Sequence, residues 1–325
     1  ALTLTTALAG CLAAACALGS RWEAALTAPA GPDLLRAQSS DDDGGDEGDY
    51  TSRSSRTETG VAQRIYREGS DLKAVYNFVN FNRDHLTVSF GMSGSEFAGY
   101  AAAYGYTEAE LAALRSWREK ARQEAWKSGW EKGGRPAAEK AIAGVAEDYD
   151  TRLRALFHSR GMALRRDNVV ECDVPLIVKR NVQVMRPVAL AVQKIGASGR
   201  YSEDDLVGAV LSLVQTAVRY KIPPPVVNGL HTGGLLPPAK TMLSGWGDCD
   251  TKTALLASIL ASWNGIRMVG ISVPGHYLMA IRRIPAKGDM FVRYEGLEYV
   301  LVEPAGPAWL EPGSVGTHTA PLLAA

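Results

Sequence analysis

In the stretch Gly245-Trp-Gly-Asp-Cys249-Asp-Thr-Lys-Thr-Ala-Leu-Leu-Ala-Ser-Ile-Leu260, a cysteine stands where a glycine-rich turn becomes an amphipathic helix. A thiol that attacks an acyl carbon must ionise near neutral pH, although a free cysteine has a pKa of about 8.5. The free N–H groups and dipole of a helix N-terminus favour the thiolate. Asp248 is suited to cap this helix, which puts Cys249 in its first turn. Gly245 and Gly247 permit a tight approach and leave the thiol uncovered. A base must then take the thiol proton, and His276 follows Pro274-Gly275 at the head of an apolar strand. A third group should accept the other imidazole N–H and fix the ring. Glu303 ends the apolar run Leu297 to Val302, just before Pro304. Each residue also has a plain structural reading: a small buried thiol, a hydrogen-bonded core histidine and an exposed strand-end carboxylate. All three lie at element boundaries, where catalytic groups collect, and that favours chemistry. A zinc site built from Cys249 and His276 lacks the close ligand pair that such sites use.

Several elements must form to bring these residues together. Alternating apolar residues predict strands over 266–273, 276–283, 290–294 and 297–302. Turns are expected at Pro274-Gly275, Lys287-Gly288 and Glu295-Gly296. The Cys249 helix should run to about Trp263, with Gly265 as its stop signal. Upstream, 175–195 reads as a helix, and Ser202 opens another whose apolar positions include Leu206, Ala209, Val210, Leu213 and Val214. A Pro/Gly-rich connection covers 222–238. Residues 61–170 read as an accessory α+β region. Val75 to Phe81 and Leu86 to Phe90 alternate around the turn Asn82-Arg83-Asp84, a β-hairpin. Thr107 and Glu110 form a capping box at the start of a long helix, with Leu111, Leu114, Trp117 and Ala121 on its buried face. Gly133 to Pro136 breaks it, and a second helix follows from Ala137 to about Ser159. His85 and His158 have no companion at ligand spacing and read as structural or exposed.

Composition narrows the classes. The chain has 325 residues, enough for two domains, with 35 basic and 35 acidic side chains. That balance gives no field to draw nucleic acid or an anionic membrane. The four cysteines are Cys11, Cys16, Cys172 and Cys249, which is no disulfide framework. A Cys172–Cys249 bridge would consume the proposed nucleophile. Residues 1–30 read as a signal-type segment, since 1–19 are uncharged and mostly small or apolar. Leu8-Ala9-Gly10-Cys11 resembles a bacterial lipobox, which makes Cys11 a lipidation candidate and a lipid the membrane tether. Cleavage after Ala28-Pro29-Ala30, or an uncleaved anchor, are the other readings. All three place the bulk of the chain outside the cytoplasm, at a bacterial cell envelope. Residues 31–60 are an acidic, disordered tether without the spacing of a calcium loop.

The order of motifs supplies a family. Leu213-Val214-Gln215, then Pro238 to Leu243, Gly247-Asp248-Cys249-Asp250, Pro274-Gly275-His276 and Val302-Glu303-Pro304 follow one another. Residues from about 200 to 315 thereby resemble the transglutaminase-like domain of the papain-like cysteine enzyme superfamily. The resemblance implies an α+β fold in which a helix carrying Cys249 packs on an antiparallel sheet carrying His276 and Glu303. On this basis 171–325 forms the transglutaminase-like domain. The resemblance makes Cys249 the nucleophile, His276 the general base and acid, and Glu303 the orienting carboxylate. Gln215 resembles the side chain that would line the oxyanion hole, with the Cys249 N–H as second donor. Asp250 and Lys252 shape the helix start. Many relatives carry Asp followed by Pro-Thr where this chain has Glu303-Pro304-Ala305. The implied activity is hydrolysis of peptide or isopeptide amides in a protein or peptide substrate through an acyl-enzyme, with no cofactor. A protein-glutamine acyltransferase would use the same residues with an amine as acceptor. A domain that has lost activity and binds protein is the third reading.

Overall fold

The computed structural model describes residues 22–27 and 60–324, and its architecture is α+β. Cys11, the lipobox, the cleavage site at 28–30 and residues 31–59 of the acidic tether lie outside the described residues, whereas Trp22–Thr27, within the segment read as signal-type, forms a strand of the central sheet. No helix among the described residues is long and apolar enough to cross a membrane.

The central sheet has five strands: β1 (Trp22–Thr27), β5 (Met268–Val273), β6 (His276–Arg282), β7 (Phe291–Tyr294) and β8 (Leu297–Val302). Their order is β1-β5-β6-β8-β7, and only the β1–β5 pair is parallel. A second sheet joins β2 (Ala62–Glu68), β3 (Asp71–Val79) and β4 (His85–Ser93) as an antiparallel meander. The helices are α1 (Gly94–Ala102), α2 (Glu108–Ser159), α3 (Val174–Gly199), α4 (Glu203–Ser212), α5 (Pro238–Ser244), α6 (Cys249–Leu260) and α7 (Thr319–Ala324).

Local chemistry explains several boundaries. Thr107 and Glu110 close the expected capping box on α2, and Ser202 with Asp205 closes another on α4. α2 turns back on itself at Gly133 and Gly134, so it is a hairpin of two helices, as the sequence indicates. Its arms are clasped by Arg152 over Trp117 and Arg118 over Tyr149. His85 and His158 are exposed.

The boundary drawn at 170/171 does not divide the core. One cluster joins Tyr76, Phe78 and Val88 of the meander to Val178 and Met185 of α3, Leu255 and Ile259 of α6, and Met279 of β6. Polar groups cross the same boundary. The Tyr76 hydroxyl donates to the Met242 carbonyl (2.5 Å), and the Tyr100 hydroxyl donates to Asn181 (2.6 Å). The sequence also presents α6 as amphipathic, whereas every residue from Thr251 to Leu260 is buried. It is the central helix, enclosed on all sides, and its polar groups bond inward. A second cluster on the other face of the central sheet packs Leu278, Tyr299 and Leu301 against Leu322 and Leu323 of α7.

Candidate active site

α6 presents Cys249 as its first residue, and the Asp248 side chain accepts the Thr251 N–H at 3.1 Å as the expected N-cap. The preceding turn is fixed from two sides. Trp246–Gly247 lies parallel to Arg219–Tyr220, and Arg219 N–H reaches the Gly245 carbonyl at 2.9 Å. From β2, the Gln63 amide donates to that same carbonyl at 3.2 Å. Gly245 has φ +77°, a left-handed backbone that favours glycine, and a Cβ there would push the Gln63 amide off its bond to this carbonyl.

His276 opens β6, and Glu303 follows directly on β8, its antiparallel neighbour. The imidazole Nε2 lies 3.0 Å and 2.9 Å from the two Glu303 oxygens. Both groups are removed from water, with side chains 10% and 2% exposed. A carboxylate cannot donate, so Nε2 carries a hydrogen, and in the neutral ring Nδ1 keeps its lone pair. Glu303 is held further by the Ala305 N–H (3.2 Å) and the Thr319 hydroxyl (2.9 Å). Burial works to lower the His276 pKa. The hydrogen bonds and charge of Glu303, helped by Asp250, overcome it and leave the pKa above the ordinary value.

The thiol has different company. Cys249 Sγ donates to Asp250 Oδ1 at 3.5 Å and lies against the Tyr277 backbone N–H. Among the described residues, His276 and the Cys249 sulfur make no hydrogen bond to each other. Asp250 neighbours both, because its charge acts on His276 while its oxygen holds the thiol. Burial, followed by the charges of Asp250 and Asp248, pushes the Cys249 pKa well above its usual value. The expectation of a resting thiolate is therefore corrected. The helix N-terminus is present, but desolvation and two carboxylates outweigh it. Alkylation of Cys249 by iodoacetamide should accordingly rise about tenfold per pH unit from pH 7 to 9, with no plateau at low pH. Intact-mass kinetics would check this, and a pH-independent rate would show a thiolate already formed.

Gln215 is also corrected. Its side chain is buried, and its amide is fully committed. Nε2 donates to the Glu303 carbonyl (2.7 Å) and the Leu310 carbonyl (3.0 Å), while Oε1 accepts the Leu310 N–H (3.0 Å). No amide hydrogen is left for an oxyanion. Gln215 instead ties the segment after Glu303 to a π-helical turn at Leu213–Ala217 that follows α4. The segment comes so close that a Cβ on Gly306 would overlap the Gln215 backbone carbonyl. Because backbone cannot swing aside, Gly306→Ala should cost about 1–3 kcal/mol, read as a lower urea midpoint.

Lys252 does more than shape the helix start. It is fully buried, and its Nζ donates to the Val218 carbonyl (2.9 Å) and the Gln215 carbonyl (3.4 Å). Burial lowers its pKa to about 7, against the pull of Glu303 and Asp248. Cys172 and Cys249 are both free, and the Cys172 thiol donates to the Thr232 carbonyl at 3.2 Å. Among the described residues, no group of three or more His, Cys, Asp or Glu could hold a metal ion.

No family model, curated protein or solved structure matches this chain. The site is therefore read from its own geometry. Sequence reasoning found Cys249, His276 and Glu303, and the structure joins the latter two directly. It missed the thiol contact of Asp250, although the adjacent position was a signal. It also missed Thr319, which no motif marks.

Proposed function

We propose that this chain is a thiol enzyme of the transglutaminase-like, papain-like kind, which opens amide bonds in protein or peptide substrates through an acyl-enzyme on Cys249. The reading is supported chiefly by the buried His276–Glu303 pair beside a cysteine at a helix N-terminus. In this proposal the thiol turns from Asp250 to Nδ1 of His276 when substrate arrives. The ring takes the proton as sulfur bonds to the carbonyl carbon, and returns it to the leaving amine as the C–N bond breaks. Water then attacks the thioester with the ring again as base, releasing acid and thiol. The Cys249 N–H serves the oxyanion, and the second donor is not Gln215. An extracytoplasmic, lipid-tethered location remains part of the proposal and rests on residues 1–60 of the sequence.

Incubation with a glutamine-bearing protein, with and without a primary amine, tests the chemistry. The expected result is a Cys249 thioester by mass spectrometry and release of acid whether or not the amine is present. Incorporation of the amine would assign acyl transfer instead. A cysteine-directed activity probe that labels the wild type and His276→Ala equally would leave an inert thiol and remove the enzyme reading.

A further inference from the structure

The α2 hairpin stands away from the body of the protein. Each arm has about 25 residues and is roughly 37 Å long. Only Gly129, Ala138 and Phe157 are buried along it. Phe157 packs edge-on against Tyr106 at the base, where Arg154 also donates to the Leu164 carbonyl at 3.0 Å. Gly129 meets Ala138 of the other arm near the turn, so closely that a Cβ on Gly129 would overlap the Ala138 backbone. Small residues thus close the hairpin at its far end. Two large rings stand outside that contact. Trp126 is 42% exposed and Trp130 53%, with ring centroids 5.6 Å apart. They are four residues apart in sequence, so both rings share one side of the arm. Exposed indoles side by side at the end of a projection mark a contact surface.

Charge is graded along the same hairpin, which the even balance of the whole chain conceals. From Trp126 to Ala141 the cations Lys127, Lys132, Arg135 and Lys140 stand against Glu131 and Glu139. Arg135 is answered by Glu139 at 2.7 Å, which leaves three lysines to one carboxylate. Just behind, Arg122 offsets Glu124. The acidic run Glu147, Asp148 and Asp150 begins about 9 Å further back along the axis, about one screening length at physiological salt. The tip is therefore basic as well as aromatic. The exposed parts of the two rings amount to roughly 200 Å². A stable protein partner takes about 800 Å² per side. A bilayer asks for less, because indoles settle at headgroup depth and neighbouring lysines pair with anionic headgroups.

We infer that the tip of the α2 hairpin docks on an anionic lipid surface, with Trp126 and Trp130 at headgroup depth and Lys127, Lys132 and Lys140 beside the headgroups. The inference rests neither on the proposed chemistry nor on residues 1–60. The test is flotation of the whole chain with vesicles of phosphatidylcholine, alone or mixed with phosphatidylglycerol. The wild type should float with the mixed vesicles, and high salt should weaken that binding. The double variant Trp126→Ser, Trp130→Ser should bind at least roughly tenfold more weakly. The triple variant Lys127→Gln, Lys132→Gln, Lys140→Gln should lose a similar factor, of about tenfold, on the mixed vesicles. Tryptophan fluorescence should be quenched by brominated acyl chains in the wild type, and the quenching should be largely lost in the tryptophan variant. All these side chains are exposed, so circular dichroism melts of the variants should match the wild type. Flotation unchanged in both variants would place membrane binding elsewhere on the chain and overturn the inference. Equal flotation with vesicles of phosphatidylcholine alone would overturn it too. Self-association in sedimentation velocity that the tryptophan variant abolishes, without vesicle binding, would assign the rings to a second copy of the chain instead.

Discussion

Glu303→Gln should slow acylation of Cys249 by about 10⁴-fold while the protein stays folded. The carboxylate now has three kinds of donor around it: imidazole Nε2–H, the Ala305 N–H and the Thr319 hydroxyl. In the variant the new amide has one oxygen and one NH₂ group. The Ala305 N–H demands the oxygen, and Thr319 can rotate to suit either end. The NH₂ takes the place of the oxygen 2.9 Å from Nε2, beside the retained oxygen at 3.0 Å. Where the NH₂ holds the ring nitrogen, Nε2 gives up its hydrogen, Nδ1 gains it, and the lone pair that receives the thiol proton is lost. Bonds are exchanged rather than removed, so stability changes little. Glu303→Ala removes the acceptor outright and leaves the ring, Ala305 and Thr319 without a partner. That variant should lose about 3–5 kcal/mol. Single-turnover acylation and urea titration separate the two effects. A rate within tenfold of the wild type for Glu303→Gln would mean that the tautomer does not matter.

The largest effect on stability is expected at Lys252. Lys252→Ala should cost about 4 kcal/mol or more, lowering the melting temperature by roughly 10 °C. It empties a fully buried volume and strips the donors from two carbonyls at the π-helical turn. A neutral amine has two N–H groups for those two carbonyls, which fits a pKa lowered to about 7. The pH dependence follows from the sign. Below about pH 7 both folded and unfolded chains hold the proton, and the fold bears the full penalty of a buried ammonium. From there up to the ordinary lysine range the unfolded chain keeps the proton and the native one does not. Stability from this group therefore rises with pH across that window. Lys252→Met keeps the volume and removes the titration. The difference in unfolding free energy between wild type and Lys252→Met should shift in favour of the wild type between pH 7 and 9.5. A difference independent of pH would show that Lys252 stays charged in the fold.

Much of this was legible in the chain, and the reasons are local. The strands of the central sheet announce themselves because both faces are covered, so runs such as Leu297 to Val302 are strongly apolar. The two capping boxes mark helix starts through short-range bonds that spacing alone reveals. β2 was missed because, with Gln63, Arg64, Arg67 and Glu68, it is an edge strand whose exposed face hides the alternation. The roles of Gln215 and Lys252 depend on partners 88 and 34 residues away, through bonds that only the folded chain creates. α6 was read as amphipathic because it carries polar residues, yet these are spread around the helix rather than gathered on one exposed face. Thr253 bonds to the Tyr277 carbonyl and Ser258 to the Ala254 carbonyl, so polar side chains enter the core already satisfied. Spacing reveals the helix N-terminus that favours a thiolate but not the desolvation and the two flanking carboxylates that oppose it.

The core shared between the meander and α3 to α6 has a consequence for how this chain could have been assembled or could be reused. A piece starting at residue 171 would arrive with one wall missing, and the side chains that Tyr76, Phe78 and Val88 now cover would face water. Such a piece should be sticky rather than portable. A stable fragment bearing Cys249, His276 and Glu303 should therefore need the upstream β-layer as well.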